Sequence, residues 1–261
     1  MRKVLIGAAA LIVTGGISYG IWMAFFAPPS STDYKNAARH VEAISDISPS
    51  EALEEYQAAA TTAIKEGKTQ EELQAAITQQ KQATEAALAK RQEYADKIAA
   101  SRVMRDDEVK KVADVYFATE KTYAKYIRDD IAAYPYFLSS LYTCKKTFDI
   151  ASETSIKGYA EVHKKASVDC LYDLNKLTSS PITPFADYAI EFKRIVNGRQ
   201  KIFDDIAAGK TSYIDSLEKI KALAEASREN NPVAGYQKYI EDNSFKGNEL
   251  KDIYVLLEKK G

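Results

Sequence analysis

One uninterrupted apolar segment, Val4–Ala27, constrains this sequence more than any other feature, and Arg2 and Lys3 directly precede it. A helix over this segment would be about 36 Å long, given the usual rise per residue. That length is enough to cross a hydrocarbon core of about 30 Å with some tilt. The sequence therefore predicts a single transmembrane helix, followed by a much longer portion that folds outside the bilayer.

The charges around this segment predict its orientation. Basic residues stay on the cytoplasmic side of a membrane, and after Arg2 and Lys3 the next basic residue is Lys35. We therefore expect a cytoplasmic stub of residues 1–3 and an extracytoplasmic portion of residues 28–261. The protein would then be an integral, single-pass protein of the cell membrane.

Two interpretations of the segment remain open, a retained signal anchor and a cleaved secretory signal. Ser18-Tyr19-Gly20 has the small outer residues of a cleavage site. However, the apolar run continues beyond it through Trp22 and Phe26. Before Ala27, Phe25 occupies a position that cleavage requires to be small. These residues favour a retained anchor over residues 4–27.

Two glycines within the anchor, Gly16 and Gly20, form a small-xxx-small pattern. Such a pattern lets two membrane helices approach each other closely. A homodimer through the membrane helix is therefore a further expectation.

The charge of the chain argues against nucleic acid as a partner. The chain contains 36 Lys and Arg residues against 37 Asp and Glu residues, and the two signs are mixed along it. A nucleic-acid-binding protein needs a basic patch or stripe, and the sequence shows none. The membrane segment also has no polybasic cluster beside it that would bind lipid headgroups.

Helix start signals recur along the extracytoplasmic portion. In these signals a hydroxyl residue is followed three positions later by an acidic one, which satisfies free N–H groups of the first turn. Examples are Ser48 with Glu51, Thr69 with Glu72, and Ser212 with Asp215. Apolar residues recur at helical spacing, and no segment alternates as a strand would. The sequence predicts an all-α antiparallel helical bundle, with one helix interrupted or kinked at Tyr134-Pro135.

The helix expected from Pro184 to Ala208 has the clearest packing pattern. Its apolar seam recurs at a spacing of three and four residues and is interrupted once, by Arg199. The positions of the seam are Phe185, Tyr188, Phe192, Ile195, Arg199, Ile202 and Ile206. This pattern is typical of a coiled coil and equally of a helix in an antiparallel bundle. Capping signals separate the helix from its neighbours, which favours a bundle within one chain.

Composition changes along the extracytoplasmic portion. Residues 51–100 are dominated by Ala, Gln, Glu and Thr, whereas the chain from residue 109 onward is rich in large apolar and aromatic residues. Alanine buries little apolar area, so it stabilises a core weakly. We expect membrane-proximal helices over residues 28–104 and a distal helical bundle over residues 105–261. The membrane-proximal helices form either the alanine-rich start of one continuous bundle or a separate stalk.

Cys144 and Cys170 are the two cysteines of the chain. An even number of cysteines in an oxidising extracytoplasmic compartment predicts a disulfide, here one that joins two helices. The alternative is a pair of small buried side chains with free thiols.

Tyrosine is abundant, with 17 residues, and several of them are concentrated in one region. A ring with a polar tip suits a binding surface, so these residues are candidate partner-binding aromatics. They are Tyr116, Tyr123, Tyr126, Tyr134, Tyr136 and Tyr142. The alternative is that the rings fill the core of the bundle.

The sequence shows no set of catalytic or metal-binding residues. His40 and His163 are far apart, and neither belongs to a Glu-x-x-His pair. Motifs for zinc proteases, phosphate loops, dinucleotides and nucleophile elbows are also missing from it. Because His163 lies beside Lys164 and Lys165, we expect it on an exposed helix face, and we interpret Asp129-Asp130 as solvated. No catalysis, cofactor or metal is therefore expected.

Two functions remain. The preferred one is a membrane-anchored extracytoplasmic interaction or scaffold protein of the cell envelope, with a protein or envelope component as its partner. The chain has no Asn-x-Ser/Thr glycosylation site, which favours a bacterial envelope. The alternative is a helical domain that binds a small molecule or glycan in a tyrosine-lined pocket.

Overall fold

The computed structural model describes residues 27–148, 155–245 and 247–261. Every regular element within these ranges is helical, which confirms the predicted all-α fold. A short 3₁₀ turn spans Arg102–Arg105. The α-helices of the described residues are α1 (Ser31–Ser45), α2 (Pro49–Lys65), α3 (Gln70–Ala99), α4 (Asp107–Lys146), α5 (Ile156–Leu177), α6 (Thr183–Ala207), α7 (Tyr213–Glu229), α8 (Val233–Asn243) and α9 (Asn248–Lys260).

The predicted membrane anchor is not covered by these ranges. Of residues 4–27, only Ala27 is described, and Gly16 and Gly20 lie outside the described residues. Within the described ranges, no helix combines the length and the apolarity needed to cross a membrane. The anchor and its pairing through glycine stay predictions from the sequence.

Side-chain caps begin several helices where the sequence patterns predict them. At the start of α3, the Thr69 hydroxyl accepts from the Glu72 backbone N–H at 3.3 Å, and the Glu72 carboxylate accepts from the Thr69 N–H at 2.8 Å. At α7, the Ser212 hydroxyl accepts from the Asp215 N–H at 3.1 Å. These bonds satisfy N–H groups that the first turn of a helix leaves free.

Helix α4 runs continuously through Pro135, so the helix is not interrupted there, and the alternative of a kink stays a prediction. Proline lacks the N–H that would bond to the carbonyl four residues earlier, which here belongs to Ile131. The hydroxyl of Tyr56 on α2 donates to this carbonyl at 2.6 Å. A side chain from another helix thereby replaces the missing backbone hydrogen bond.

The described chain divides into two compact units. The first unit contains α1, α3 from Lys90 onward, α4 up to Thr119, and α9. The second contains α2, α3 up to Ala89, α4 from Glu120 onward, and α5 to α8. Residues 28–104 contribute to both units, and a boundary between a stalk and a bundle stays a prediction from the sequence.

In the first unit, α1 packs against α9. Arg91 donates to the carbonyls of Ile44 and Ile47 at 3.2 and 3.0 Å, so a cation satisfies the carboxyl end of α1. On α9, the Lys260 ammonium lies 2.7 Å from the Asp106 carboxylate. Its hydrogen bond holds the pKa of Asp106 down to about 2.

In the second unit, the alanine-rich helices pack against the aromatic part of α4. Ala60 and Ala63 of α2 share a buried cluster with Tyr123, Tyr126 and Ile131 of α4. Small side chains on one helix therefore accommodate large rings on the other.

A second buried cluster of the same unit joins α4, α5, α6 and α8. Three of its α6 residues, Phe185, Tyr188 and Phe192, belong to the predicted seam, and Ala189 and Val196 lie beside it. Helix α6 packs against α5 and α7 of the same chain. The seam residues Phe185, Tyr188, Phe192 and Ile195 are buried, as is Arg199. The interpretation of α6 as part of a bundle within one chain is confirmed.

The predicted disulfide is confirmed. Cys144 of α4 and Cys170 of α5 are bonded, with their Cα atoms 4.7 Å apart. The bond closes a loop with a sequence separation of 26 residues, which on the chain-entropy account stabilises the fold by about 3 kcal/mol.

We expect Tyr56→Phe to lower the free energy of unfolding by about 1–3 kcal/mol, because the buried Ile131 carbonyl loses its donor. In a Pro135→Ala background the same substitution should cost less, since the new backbone N–H can bond to that carbonyl. Denaturant unfolding of both single variants and the double variant measures this coupling. Equal costs in the two backgrounds would contradict the assignment.

Candidate functional site

The second unit contains a cavity of about 600 Å³, which we call the large cavity. The end of α4, the middle of α6, the last turns of α7 and the segment Asn230–Pro232 form its walls. Three aromatic side chains line it, namely Phe148, Tyr188 and Phe192. Its volume lies within the range of about 300–1,000 Å³ that is typical of small-molecule sites.

Hydrogen bonds hold the segment that follows α7 against this cavity. The Asn230 side-chain amide donates to the Tyr188 carbonyl at 3.0 Å, which ties the segment to α6. The Asn231 side-chain oxygen accepts from the Val233 N–H at 3.0 Å at the start of α8. Both asparagines line the cavity, so their positions set part of its rim.

Gly198 lets α7 approach α6 closely beside the cavity. A Cβ atom at this position would lie only 3.3 Å from the Leu223 Cδ1 atom of α7. A larger side chain would therefore push against α7. Residues of α7 line the same cavity as Arg199, the next residue of α6.

Arg199 is the central polar residue of the large cavity, although it is only 4 % exposed. One guanidinium nitrogen donates to the Thr147 carbonyl at 3.1 Å, while Nε has no hydrogen-bond partner. The guanidinium carbon lies 4.0 Å from the centre of the Phe148 ring and 5.6 Å from that of Phe203. Burial lowers the pKa of Arg199, yet an arginine keeps its charge in proteins.

No carboxylate compensates this charge within the part of the chain that the structure describes. A buried charge without a counter-ion is costly, because desolvation is not offset. Arg199 also interrupts the apolar seam of α6, which is the sequence signal that could have identified it.

Two exposed cations add to the charge at the cavity. Lys145 of α4 and Arg228 of α7 line it, and neither forms an ion pair with a described carboxylate. Together with Arg199 they give an aromatic cavity a positive potential. Such a lining attracts an anion and accommodates an apolar or aromatic body.

A second, smaller cavity of about 190 Å³ lies beside the same arginine, and we call it the small cavity. Arg199, Phe203 and Ile220 line it, together with Tyr159 of α5 and Tyr213 of α7. Arg199 therefore borders both cavities, and α7 contributes to the walls of both.

The structure buries three of the six tyrosines that were predicted to form a partner-binding surface. Tyr116, Tyr123 and Tyr126 are at most 6 % exposed, so these rings fill cores instead of facing a partner. Their spacing along α4 places them on the face that other helices cover.

The remaining predicted tyrosines differ in exposure. Tyr134 and Tyr136 are half-buried, and Tyr142 is 42 % exposed. None of the six tyrosines predicted to bind a partner lines either cavity. The tyrosines that line the cavities are Tyr159, Tyr188 and Tyr213.

His163 was expected on an exposed face, and the structure shows it fully buried. It shares the covered face of α5 with Ser167 and Cys170, which are four and seven positions further along. Its Nδ1 atom lies 2.8 Å from Gln200 Oε1, and the Gln200 amide nitrogen donates to Asp204. Nδ1 therefore carries the proton, while Nε2 has no partner. Burial lowers the pKa of His163, which keeps the ring neutral.

Asp130 was expected to be solvated, and it is completely buried in the second unit. Its carboxylate accepts hydrogen bonds from the Tyr236 hydroxyl and from the Gln57 amide, the latter at 2.7 Å. Burial raises the pKa of Asp130 to about 6, although both hydrogen bonds act in the opposite direction. Asp130 borders neither cavity, so we assign it to the core.

Asp173 of α5 is a second buried carboxyl of the unit. It accepts hydrogen bonds from Ser139 at 2.7 Å and from Thr143 at 3.0 Å. Burial raises its pKa to about 6 as well. Among the described residues, no cluster of His, Cys, Asp and Glu could hold a metal ion.

We expect Asp130 and Asp173 to lower the free energy of unfolding as the pH rises from 4 to 7, against an opposite contribution from His163, whose pKa is lowered by burial. Asp130 and Asp173 have pKa values of about 6 in the fold against 3.8 for a free aspartate, so these carboxyls bind more protons in the folded state in this window. Each carboxyl contributes up to about 3 kcal/mol to this decline. Thermal or denaturant unfolding at several pH values measures the slope.

The variants Asp130→Asn and Asp173→Asn should each flatten this slope, and the double variant should flatten it most. Their absolute stabilities do not enter the comparison, because only the pH dependence reports the two carboxyl groups. A double variant with the slope of the wild type would contradict the expectation.

Comparisons with known proteins assign no family to this geometry. No protein-family model, curated protein or solved structure matches the chain. The chemistry of the site is therefore argued from its residues.

Proposed function

We propose that this chain is a membrane-tethered, extracytoplasmic helical domain that binds a small organic anion in the large cavity. The observation that carries the proposal is the buried guanidinium of Arg199, which lines this cavity and has no carboxylate partner among the described residues. An acidic group on a ligand would supply a counter-charge that no described carboxylate provides, and it would bond to remaining N–H groups. Carboxylates, sulfonates and phosphates share this chemistry.

The walls of the cavity support a ligand with an apolar or aromatic body. Phe148 and Phe192 contact each other edge to face, with ring centres 6.0 Å apart, and both line the cavity. Lys145 and Arg228 at the rim would attract an anion from solution. The arrangement offers binding groups, and we propose binding without catalysis.

The proposed location rests on two observations. Val4–Ala27 has the length and apolarity of a membrane anchor, and Arg2 and Lys3 favour a cytoplasmic start. The Cys144–Cys170 disulfide suits an oxidising compartment outside the cytoplasm. The domain would then act in the cell envelope, with the membrane as a permanent partner.

A second candidate function is that of an interaction or scaffold protein of the envelope. It is favoured by Val168 and Tyr172, which lie one turn apart on α5 and are 64 % and 48 % exposed. Tyr136 of α4 contacts the Tyr172 ring at a centre distance of 6.3 Å. A protein partner could cover this apolar area, and a homodimer could form through Gly16 and Gly20 in the membrane.

Calorimetry with the full-length protein in dodecyl maltoside micelles tests anion binding, with empty micelles as the blank. The probes are naphthalene-2-sulfonate and its neutral counterpart, naphthalene-2-sulfonamide. We expect the sulfonate to bind at least about tenfold more tightly, because hydrogen bonds to a charged group contribute about 1.5–3 kcal/mol. Equal affinities, or no binding of either probe, would refute the proposal.

The double variant Lys145→Gln/Arg228→Gln should weaken sulfonate binding by about tenfold, since an exposed charge interaction contributes about 0.2–1 kcal/mol. Binding of the sulfonamide should not change. Lys164→Gln/Lys165→Gln is the matched control, because it removes two exposed positive charges from α5 that line neither cavity. An equal loss in the control would indicate a general charge effect and contradict the site.

A further inference from the structure

Arg199 lines both cavities. Its guanidinium carbon lies 4.0 Å from the centre of the Phe148 ring, and Phe148 lines the large cavity. The same carbon lies 5.6 Å from the centre of the Phe203 ring, and Phe203 lines the small cavity. A negative charge bound at this guanidinium would therefore be close to two aromatic-walled spaces.

The small cavity has the size of one ring. Its volume is about 190 Å³, and an apolar cavity of about 150 Å³ in a protein can hold benzene. Phe203 and Ile220 provide apolar walls, and the rings of Tyr159 and Tyr213 complete the lining. Arg199 is the charged residue of this lining, so the small cavity suits an uncharged substituent beside the anion.

The guanidinium retains hydrogen-bonding capacity for such an anion. Arg199 is 4 % exposed; one terminal nitrogen donates to the Thr147 carbonyl, and Tyr159 is a further hydrogen-bond neighbour. A guanidinium has five N–H donors, so these two neighbours leave terminal N–H groups for an anion. Two parallel N–H groups match two oxygens of a phosphate. A phosphate with two ester substituents carries its charge between two organic groups, which suits two cavities that share one arginine.

We propose that the ligand is an anionic diester, such as a phosphodiester, with the charge at Arg199, one substituent in the large cavity and a smaller one in the small cavity. This inference rests on the proposed function, because it assumes that the large cavity binds a small organic anion. A carboxylate or a phosphate monoester has its charge at one end and leaves the small cavity empty. The small cavity would thereby select the class of ligand.

Helix α7 is the element that would admit such a ligand. It contributes Arg228 to the large cavity and Tyr213 and Ile220 to the small one. Within α7, Ser216 alone is buried, and Ile214 beside Tyr213 is 81 % exposed. A helix with so little buried surface can move at a low cost in packing.

Calorimetry of the full-length protein in dodecyl maltoside micelles, with diphenyl phosphate and phenyl phosphate as probes, tests the inference. We expect the diester to bind about tenfold or more tightly than the monoester, because a second ring is removed from water. The monoester carries the greater negative charge at neutral pH, so charge alone would produce the opposite order. A monoester that binds as tightly as the diester, or more tightly, would overturn the inference.

Filling the small cavity supplies the second readout. Ile220→Trp should remove the preference for the diester and leave phenyl phosphate binding unchanged, whereas Ile214→Trp on the exposed face of α7 should change neither. Tyr213→Ala removes a wall of the same cavity at a half-exposed position, and it should weaken binding of the diester alone. Unchanged binding of the diester in both cavity variants would refute the assignment.

The two proposals fail in distinguishable ways. If naphthalene-2-sulfonate does not bind, or binds no more tightly than the sulfonamide, the proposed function itself is refuted. If the sulfonate and phenyl phosphate bind but the diester has no advantage, only the diester inference is refuted. Competition by phosphatidylglycerol in the same micelles distinguishes two sources of the natural diester. If the lipid displaces bound diphenyl phosphate, the diester is a lipid headgroup. If diphenyl phosphate stays bound, the diester is a soluble molecule.

Discussion

The second unit depends on aromatic contacts that hold three helices together. The rings of Phe137 on α4 and Phe185 on α6 are stacked with centres 4.2 Å apart, and Tyr236 of α8 lies 4.6 Å from Phe185. Large rings bury much apolar area and prefer defined orientations, so they fix the positions of the helices that carry them. The large cavity lies further along the same helices, with Tyr188 on α6 and the segment before α8 among its walls.

Within this apolar core, the buried polar groups differ in how many hydrogen bonds and counter-ions the fold gives them. Asp130 receives two hydrogen bonds, so its burial is partly compensated. Arg199 donates to the Thr147 carbonyl and has Tyr159 as a further hydrogen-bond neighbour, but it has no counter-ion among the described residues. Departures from complete satisfaction tend to occur where a protein binds something. The contrast explains why Arg199 carries the functional proposal and Asp130 does not.

Features that depend on local sequence could be predicted well. The caps at Thr69 and Ser212 follow from short-range hydrogen bonding, and the disulfide follows from the number of cysteines and the expected compartment. The apolar seam of α6 also predicted which side of that helix is covered. Its interruption at Arg199 was visible, but a sequence pattern does not show whether an acidic side chain lies opposite.

Features that depend on distant contacts could not be predicted. The Tyr56 hydroxyl that allows α4 to continue through Pro135 comes from another helix, and local rules for proline favour an interruption. The burial of His163 was hidden by Lys164 and Lys165, although neighbouring residues on a helix point in different directions. The division into two units results from α1 packing against α9, and no composition change marks it.

The pairing of Tyr56 with the carbonyl before Pro135 has a consequence for how this sequence can change over evolutionary time. Loss of the proline first would restore a backbone donor and release Tyr56 from its role, whereas loss of the tyrosine first would leave a buried carbonyl unsatisfied. Both residues can therefore be substituted at little cost only if the proline is replaced before the tyrosine. Related sequences should retain the tyrosine wherever they retain the proline, and they should vary at the tyrosine position chiefly where the proline has already been replaced.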